Sequence, residues 1–364
     1  MKTIHKIYFK NSQLMGEIEN NSINLIVTSP PYPIIEMWDE CFSLLNPKIK
    51  NLFEVFDGKG IYKLMHEELN KIWSEIDRII VERGVVCVNI GDATRKIGNS
   101  FQLYPNHSKI IEFFENKDYQ VLPPIIWKKQ SNKPNKFMGS GMLPPNAYVT
   151  LEHEYILIFR KKSNRNFRND EKLNRQSSAY FWEERNIWFS DLWEDIKGTS
   201  QKLNKNNLRI RNGAYPFDLA YRLINMYSVK GDTILDPFLG TGTSTVAAIA
   251  SGRNSIGFEL DPNFKDFISE RILNSMDSSN EIIENRFKNH IKFVKNREKE
   301  KGSLKHESNV YDFKVMTSQE KNLSLHFIKK INKKKENIFL AEYEDSLEIE
   351  VKKDSNNNCQ QKLL

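Results

Sequence analysis

Two short stretches of this 364-residue chain combine residue types that can do chemistry. The first is Ser29-Pro30-Pro31-Tyr32, which follows the apolar run Ile23 to Val27 and then Thr28. Adjacent prolines donate no backbone hydrogen bond and restrict the residue before them, so a strand must stop at Thr28 or Ser29 and turn sharply. A hydroxyl, a bare carbonyl and an aromatic ring are thereby crowded at one strand end. The second stretch is Asp236-Pro237-Phe238-Leu239-Gly240-Thr241-Gly242-Thr243, with Glu259 near the end of the following strand. Gly240 and Gly242 let the backbone approach a ligand closely, and the helix behind them offers unpaired N–H groups. An acidic residue at the next strand end can accept both hydroxyls of a ribose. The loop is not GxGxxG and lacks the lysine of a phosphate-binding loop, so its spacing suits an adenosine cofactor without favouring NAD or ATP. Taken singly, the first stretch is also what a proline turn after a buried strand looks like, and the second a tight turn in any α/β protein.

Together the two stretches resemble the catalytic and S-adenosylmethionine motifs of the amino-methylating DNA methyltransferases. In that fold the cofactor loop closes the first strand and the catalytic tetrapeptide closes the fourth. Here the catalytic piece comes first, which resembles the β arrangement, a circular permutation. The resemblance spans about residues 4 to 275 and implies a Rossmann-like, S-adenosylmethionine-dependent α/β fold with a mixed, mostly parallel, seven-stranded sheet. Strands at 4–9, 24–28, 85–90, 119–127 and 154–159 become the third to seventh, and those at 233–235 and 255–260 the first and second. The implied catalytic residues are Ser29, Pro30, Pro31 and Tyr32. The implied cofactor residues are Asp236, Pro237, Phe238, Gly240, Thr241, Gly242, Thr243 and Glu259, with Tyr215 and Pro216 at the methionine end, although core packing accounts for that pair almost as well. Asn11 follows the third strand, where relatives often carry an acidic residue near the adenine, and so departs from the pattern. Glu36 and Asp39 either order the catalytic loop or are surface charges.

An exocyclic amine is a poor nucleophile because its lone pair is delocalised into the base. Two acceptors on its hydrogens, the Ser29 hydroxyl oxygen and the Pro30 carbonyl, let the nitrogen pyramidalise as it attacks a sulfonium methyl, while Tyr32 offers a stacking face. No metal and no covalent enzyme intermediate are required, and no cysteine follows a proline as in carbon-5 cytosine methylation. Ser at the first motif position resembles the cytosine-N4 group; adenine-N6 methylation on the same fold is the alternative. Double-stranded DNA is the implied partner, with the target base flipped out. The basic runs available to it hold Trp127, Lys128, Lys129, Lys133 and Lys136, then Lys202, Lys205, Arg209 and Arg211, and either run could equally be a solvated loop. A cognate restriction endonuclease is a further implied partner, and a catalytically silent DNA-binding protein is the rival of another class.

The elements that must carry these residues alternate strand and helix, which predicts a mostly parallel sheet. Apolar residues between Ile61 and Ile80 have helical spacing, and Val85 to Ile90 is a β-branched run suited to a buried strand. A brief helix is expected over Gln13 to Ile18, one over Ser108 to Glu115, and one beginning with Pro216 at its first turn. Residues 1–160 are read as the catalytic half, 161–212 as the target-recognition region without clear period, and 213–275 as the cofactor half. Residues 276–364 form a charged extension with a small β appendage between 309 and 351 and a disordered end from Lys352. The 54 Lys and Arg against 47 Asp and Glu, a net +7, suit a polyanionic partner. Three cysteines without metal-type spacing point to a reducing cytoplasm and no zinc site. No apolar run approaches a membrane span and the N-terminus has no signal-like apolar segment, so a cytoplasmic location and no membrane partner are expected.

Overall fold

A computed structural model describes residues 1–129, 138–198 and 215–344. Among the described residues ten strands form the main sheet: β1 (Lys2–Phe9), β2 (Ile23–Thr28), β3 (Ile80–Ile90), β4 (Tyr119–Lys128), β5 (His153–Lys161), β6 (Leu192–Trp193), β7 (Thr233–Asp236), β8 (Asn254–Glu259), β9 (Ile328–Lys335) and β10 (Ile338–Tyr343). Their spatial order is β6-β4-β5-β3-β2-β7-β8-β1-β10-β9. The five central strands, β3, β2, β7, β8 and β1, are parallel, whereas β5 runs antiparallel to both β3 and β4. The seven strands expected from the sequence are all present, and the two that carry the motifs, β2 and β7, are neighbours. The sheet is wider than expected because β6 adds to one side and the β9–β10 hairpin pairs with β1 on the other.

Two short helices, α1 (Asp39–Leu45) and α2 (Lys48–Glu54), follow the proline turn and lead into α3 (Gly58–Ile79). Side-chain alternation along the central strands feeds two cores. Ile26, Val86, Val88 and Leu235 face α3 and α4 (Asn106–Glu115), while Leu25, Val27, Cys87 and Ile234 face α7 (Phe217–Tyr227) and α8 (Thr243–Ser251). This period of two on strands covered on both faces is what a buried parallel sheet requires. In β4 the register shifts between Leu122 and Ile125, around the two prolines. The outer neighbour β6 pairs only with Ile126 and Trp127, so the prolines leave no ladder hydrogen bond unmet on a covered strand. The outermost strand β9 exposes Lys329, Lys330, Lys333, Lys334 and Lys335, charges that discourage pairing with another sheet edge.

Several expectations need correction. Gln13 to Ile18 is a series of turns and not a helix, because α3 supplies its hydrogen bonds: Arg78 donates to the carbonyls of Met15 and Ile18, and Glu75 accepts from the Met15 N–H. Pro216 is the N-cap of α7, one residue before the first turn. The segment after Lys161 is not featureless, for it holds α5 (Lys172–Ser177) and α6 (Trp182–Trp188). Beyond α9 (Lys265–Leu273) the extension opens with a 26-residue helix, α10 (Met276–Lys301), which docks on α6. Ile283 and Phe287 pack with Phe181, Tyr311, Leu323 and Leu325, and Arg286 binds Glu184 at 2.5 and 2.7 Å. Tyr311 and Phe313 are therefore core residues and not strand residues; beside them Lys314–Val315 pairs with His306–Glu307, and the remaining β structure described within 309–351 is the β9–β10 hairpin. The strand expected over 347–351 and the end from Lys352 lie outside the described residues.

Two buried imidazoles make the fold sensitive to acid. Burial pushes His5 down to about 3 and His66 down to about 4, against about 6.5 in an unfolded chain. Between these values the unfolded chain binds more protons than the native one, so stability is full above about pH 6.5 and is lost as the pH falls toward the native values. The urea midpoint is expected to drop between pH 7.5 and pH 5, and to drop less in His66→Gln; an identical drop in that variant would contradict the assignment.

Candidate active site

The parallel strands β2 and β7 are paired with Leu25 opposite Ile234 and Ile26 opposite Leu235, so Thr28 and Asp236 end side by side. From here the chain leads toward β3 on one side and toward β8 on the other. Diverging connections at neighbouring carboxyl ends leave a crevice, the usual ligand position in a doubly wound sheet. The Asp236 carboxylate, 2% exposed, closes the back of that crevice. It accepts from the Thr28 hydroxyl at 2.6 Å, the Ser244 hydroxyl at 2.6 Å, the Tyr215 hydroxyl at 3.0 Å and the Phe238 N–H at 3.0 Å. Burial raises its pKa, and these four donors oppose the rise. Tyr215 is pushed well above its usual value by burial and by Asp236, so it remains a protonated donor.

The glycine loop leaves this hub. Gly240 and Gly242 have φ of +55° and +85°, a region that L side chains disfavour. A Cβ on Gly240 would enter open space, with the Phe238 carbonyl 4.0 Å away, so the backbone itself forms the wall. Glu259, at the end of β8, accepts from the Gly240 N–H at 2.8 Å through Oε2 and from the Asp261 N–H at 2.9 Å through Oε1. These two backbone groups hold the carboxylate at the strand end, where it lines the crevice. Arg271 of α9 clasps the loop by donating to the Thr241 carbonyl at 3.1 Å and hydroxyl at 2.7 Å.

The two motifs share one pocket. Ser29 and Pro31 line it on one side; Pro237, Phe238, Gly240, Thr241, Thr243 and Glu259 line it on the other, with Tyr215 between. Asn11 and Ser12 close the end beyond β1, and Trp38, Phe42, Leu69, Ile72, Leu260 and Phe264 supply apolar surface. Asp236, Gly242, Pro30, Tyr32 and Pro216 are not in the lining; Asp236 acts from behind as the hub, Gly242 as the N-cap of α8. Thr243 Oγ1 is buried without a hydrogen-bond partner among the described residues. An orphaned hydroxyl, an open glycine wall and a carboxylate fixed at the rim fit a polar, ribose-bearing ligand.

The proline loop after β2 is held from several sides. Asp39 forms a two-pronged pair with Arg95 at 2.8 and 2.7 Å, and the same guanidinium donates to the Ile34 carbonyl at 3.2 Å. Asp39 therefore orders the loop, whereas Glu36 is exposed. Asn106 donates to the carbonyls of Pro33 at 3.2 Å and Gly91 at 3.0 Å. Tyr32 packs against Gly91, where a Cβ would come within 3.0 Å of the ring. Its hydroxyl donates to Glu154 Oε2 at 2.8 Å, accepts from Asn89 Nδ2 at 2.8 Å, and lies 3.2 Å from Ser29 Oγ. Neither Glu154 nor Asn89 stood out in the sequence.

The residues expected to meet a duplex divide. Trp127, 1% exposed with its indole donating to the Ile196 carbonyl at 2.9 Å, is a core residue and presents no surface to DNA. Lys128 pairs with Glu194 at 2.9 Å and Lys129 with Glu154 at 2.5 Å. Lys133, Lys136, Lys202, Lys205, Arg209 and Arg211 lie outside the described residues.

Fold and pocket together define a Rossmann-like methyltransferase, and comparison with known proteins identifies the class: residues 23–271 match the DNA methylase family of the N6/N4 methyltransferase type, and the chain belongs to that family. Type II methyltransferase M.MthZI of Methanothermobacter thermautotrophicus is 60% identical over 95% of this chain and 96% of its own. M.MjaI of Methanocaldococcus jannaschii, also a Type II methyltransferase, is 51% identical over 74% of this chain and 91% of its own. A DNA modification methylase of Thermus thermophilus, solved as a complex with S-adenosyl-L-methionine, superposes with a TM-score of 0.57 at 27% identity, covering 74% of this chain and 95% of that one. The cytosine-N4-specific PvuII DNA methyltransferase shares the fold, with a TM-score of 0.53 at 16% identity over 79% of this chain and 92% of its own.

Replacing Glu259 with Gln keeps one acceptor oxygen and removes the charge. Hydrogen bonds to a charged acceptor contribute about 1.5–3 kcal/mol, so S-adenosylmethionine affinity is expected to fall by about tenfold or more in isothermal titration. Unchanged affinity would remove Glu259 from the ribose site.

Proposed function

We propose that this Type II DNA amino-methyltransferase transfers a methyl group from S-adenosylmethionine to the N4 amine of cytosine within a short duplex sequence. The observation that carries this reading is the single pocket walled by Ser29 and Pro31 on one side and by the 237–243 loop and Glu259 on the other. Bound there, S-adenosylmethionine supplies an electrophilic methyl on a sulfonium sulfur. Glu259 would hold the ribose hydroxyls, Phe238, Leu260 and Phe264 would offer apolar surface to the adenine, and Tyr215 with Thr243 would stand at the methionine end. Asn11 contributes an amide where relatives often have a carboxylate; its carbonyl is already taken by the Gln13 N–H at 2.9 Å.

Ser29 Oγ and the Pro30 carbonyl accept the two amine hydrogens of the target base. As the new N–C bond forms, this draws the nitrogen lone pair out of conjugation, the C–S electron pair stays on sulfur, and the methylated nitrogen then loses one of its two hydrogens as a proton to solvent. The acceptors matter most when the nitrogen is pyramidal, which places their contribution in the transition state. A base inside a duplex cannot reach the pocket, so the target is everted at a cost of a few kcal/mol. Lys128 is suited to offset part of it, because an exposed ion pair such as Lys128–Glu194 is weak and can be exchanged for a phosphate. Lys133, Lys136, Lys202, Lys205, Arg209 and Arg211 are assigned to the same phosphate contacts, which makes binding steeply salt-dependent, whereas Lys129 stays on the Glu154 carboxylate. Choice of cytosine over adenine rests on Ser at the first motif position. A restriction endonuclease of the same sequence specificity is the proposed biological partner.

Incubation with duplex DNA and methyl-labelled cofactor, then nucleoside digestion and mass spectrometry, tests the reading. N4-methylcytosine is expected; N6-methyladenine alone would move the assignment to adenine, and specific binding without incorporation would mark a silent DNA-binding protein. Ser29→Ala is expected to lower kcat about tenfold or more with cofactor affinity unchanged, and wild-type turnover would contradict the role of the serine.

A further inference from the structure

The Tyr32 hydroxyl has one hydrogen and two lone pairs, and its neighbours account for all three. Its hydrogen goes to Glu154 Oε2 at 2.8 Å, since an ionised carboxylate only accepts. One lone pair takes a hydrogen from Asn89 Nδ2 at 2.8 Å, and the second hydrogen of that amide goes to the same carboxylate oxygen at 2.7 Å. The remaining contact of Tyr32 is Ser29 Oγ at 3.2 Å. Only one polarity is left for it: Ser29 donates its hydrogen to the second lone pair of Tyr32. With that hydrogen committed, Ser29 can only accept on its other side, as a target amine requires.

Glu154 is the source of this ordering. It sits on β5, 8% exposed, and reaches the catalytic loop across β3, where Ile90 and Tyr155 are paired. Its second oxygen receives the Lys129 ammonium at 2.5 Å. Isolated, a buried carboxylate costs several kcal/mol; here Lys129, Asn89 and Tyr32 share that burden. Without the carboxylate, the Tyr32 hydrogen is free to turn to Ser29 Oγ, 3.2 Å away. The serine hydrogen would then point toward the amine, and a donor would face a donor.

We propose that Glu154, acting through Tyr32 and braced by Asn89, is a positioning residue that fixes the direction of the Ser29 hydroxyl and so keeps its oxygen an acceptor for the target amine. The proposal rests on the reading of Ser29 as an acceptor in methyl transfer. It also gives the aromatic residue of the motif a second duty, since its hydroxyl sets hydrogen-bond polarity while its ring offers a face to the base.

Double-mutant cycles in single-turnover methylation test it, with the full chain, duplex DNA and saturating cofactor. Glu154→Leu removes the acceptor, and Tyr32→Phe removes the hydroxyl while leaving the carboxylate and Lys129 in place. Each is expected to slow methyl transfer about tenfold with cofactor affinity unchanged. Because both act through Ser29, neither should slow the Ser29→Ala enzyme further, and Glu154→Leu should add nothing to Tyr32→Phe. If Glu154 merely supported the fold, its effect would multiply that of Ser29→Ala and appear in cofactor affinity as well; either result overturns the proposal. Should Glu154→Leu fail to fold, the Tyr32→Phe and Ser29→Ala cycle decides alone: rates that multiply refute the relay. Wild-type turnover in Ser29→Ala would sink the acceptor reading itself, whereas a slow Ser29→Ala with an unimpaired Tyr32→Phe would sink only the relay.

Discussion

The hydrogen bond from Thr28 to Asp236, 2.6 Å across two neighbouring parallel strands, is the contact on which the site depends. A carboxylate so deeply buried is costly unless its lone pairs are filled, and the four donors that fill them come from different parts of the chain. Thr28 precedes the catalytic tetrapeptide, Phe238 lies in the glycine loop, Ser244 opens α8 and Tyr215 leads into α7. One carboxylate thus sets the exit direction of both functional turns and the entry of two helices. Removing any donor leaves a buried acceptor short and loosens the alignment of the proline loop with the glycine loop.

The sheet makes that contact available. The two motifs stand about two hundred residues apart, catalytic piece first, yet they leave adjacent strands. A circular order changes which loop is cut and leaves the pairing of strands intact. The additions lie at the sheet ends: the β9–β10 hairpin extends the cofactor side, and α10 buttresses the segment between β5 and α7 through Phe181, Phe287 and the Glu184–Arg286 pair. The part expected to recognise DNA and the part read as a charged extension therefore share a core.

Much of this was legible because the motifs are local. Proline pairs stop strands, glycines at positive φ make loops, and an apolar β-branched run marks a buried strand, all within a few residues. What was not legible depends on tertiary contact. Glu154 and Asn89 carry no motif; only the antiparallel pairing of β3 and β5 brings them to Tyr32. Gln13 to Ile18 has helical spacing, yet the side chains of α3 claim its backbone groups. In α10 the apolar positions Ile283, Phe287 and Val294, with buried His290, keep helical spacing, but the surrounding Asn, Lys and Glu give the composition of a solvated tail. Trp127 looked like a surface aromatic among lysines, and the two-residue strand β6 is what buries it.

The central claim is geometric: the proline turn and the glycine turn face one space, in which an amine meets a sulfonium methyl. The most direct measurement is the structure of a ternary complex with duplex DNA and a non-reactive cofactor analogue. The account predicts an everted base with its exocyclic nitrogen about 3–3.5 Å from the position of the transferable methyl, and with its hydrogens directed at Ser29 Oγ and the Pro30 carbonyl. A base stacked in the duplex with its target nitrogen outside the pocket, or an analogue bound away from the Gly240 loop, would contradict it.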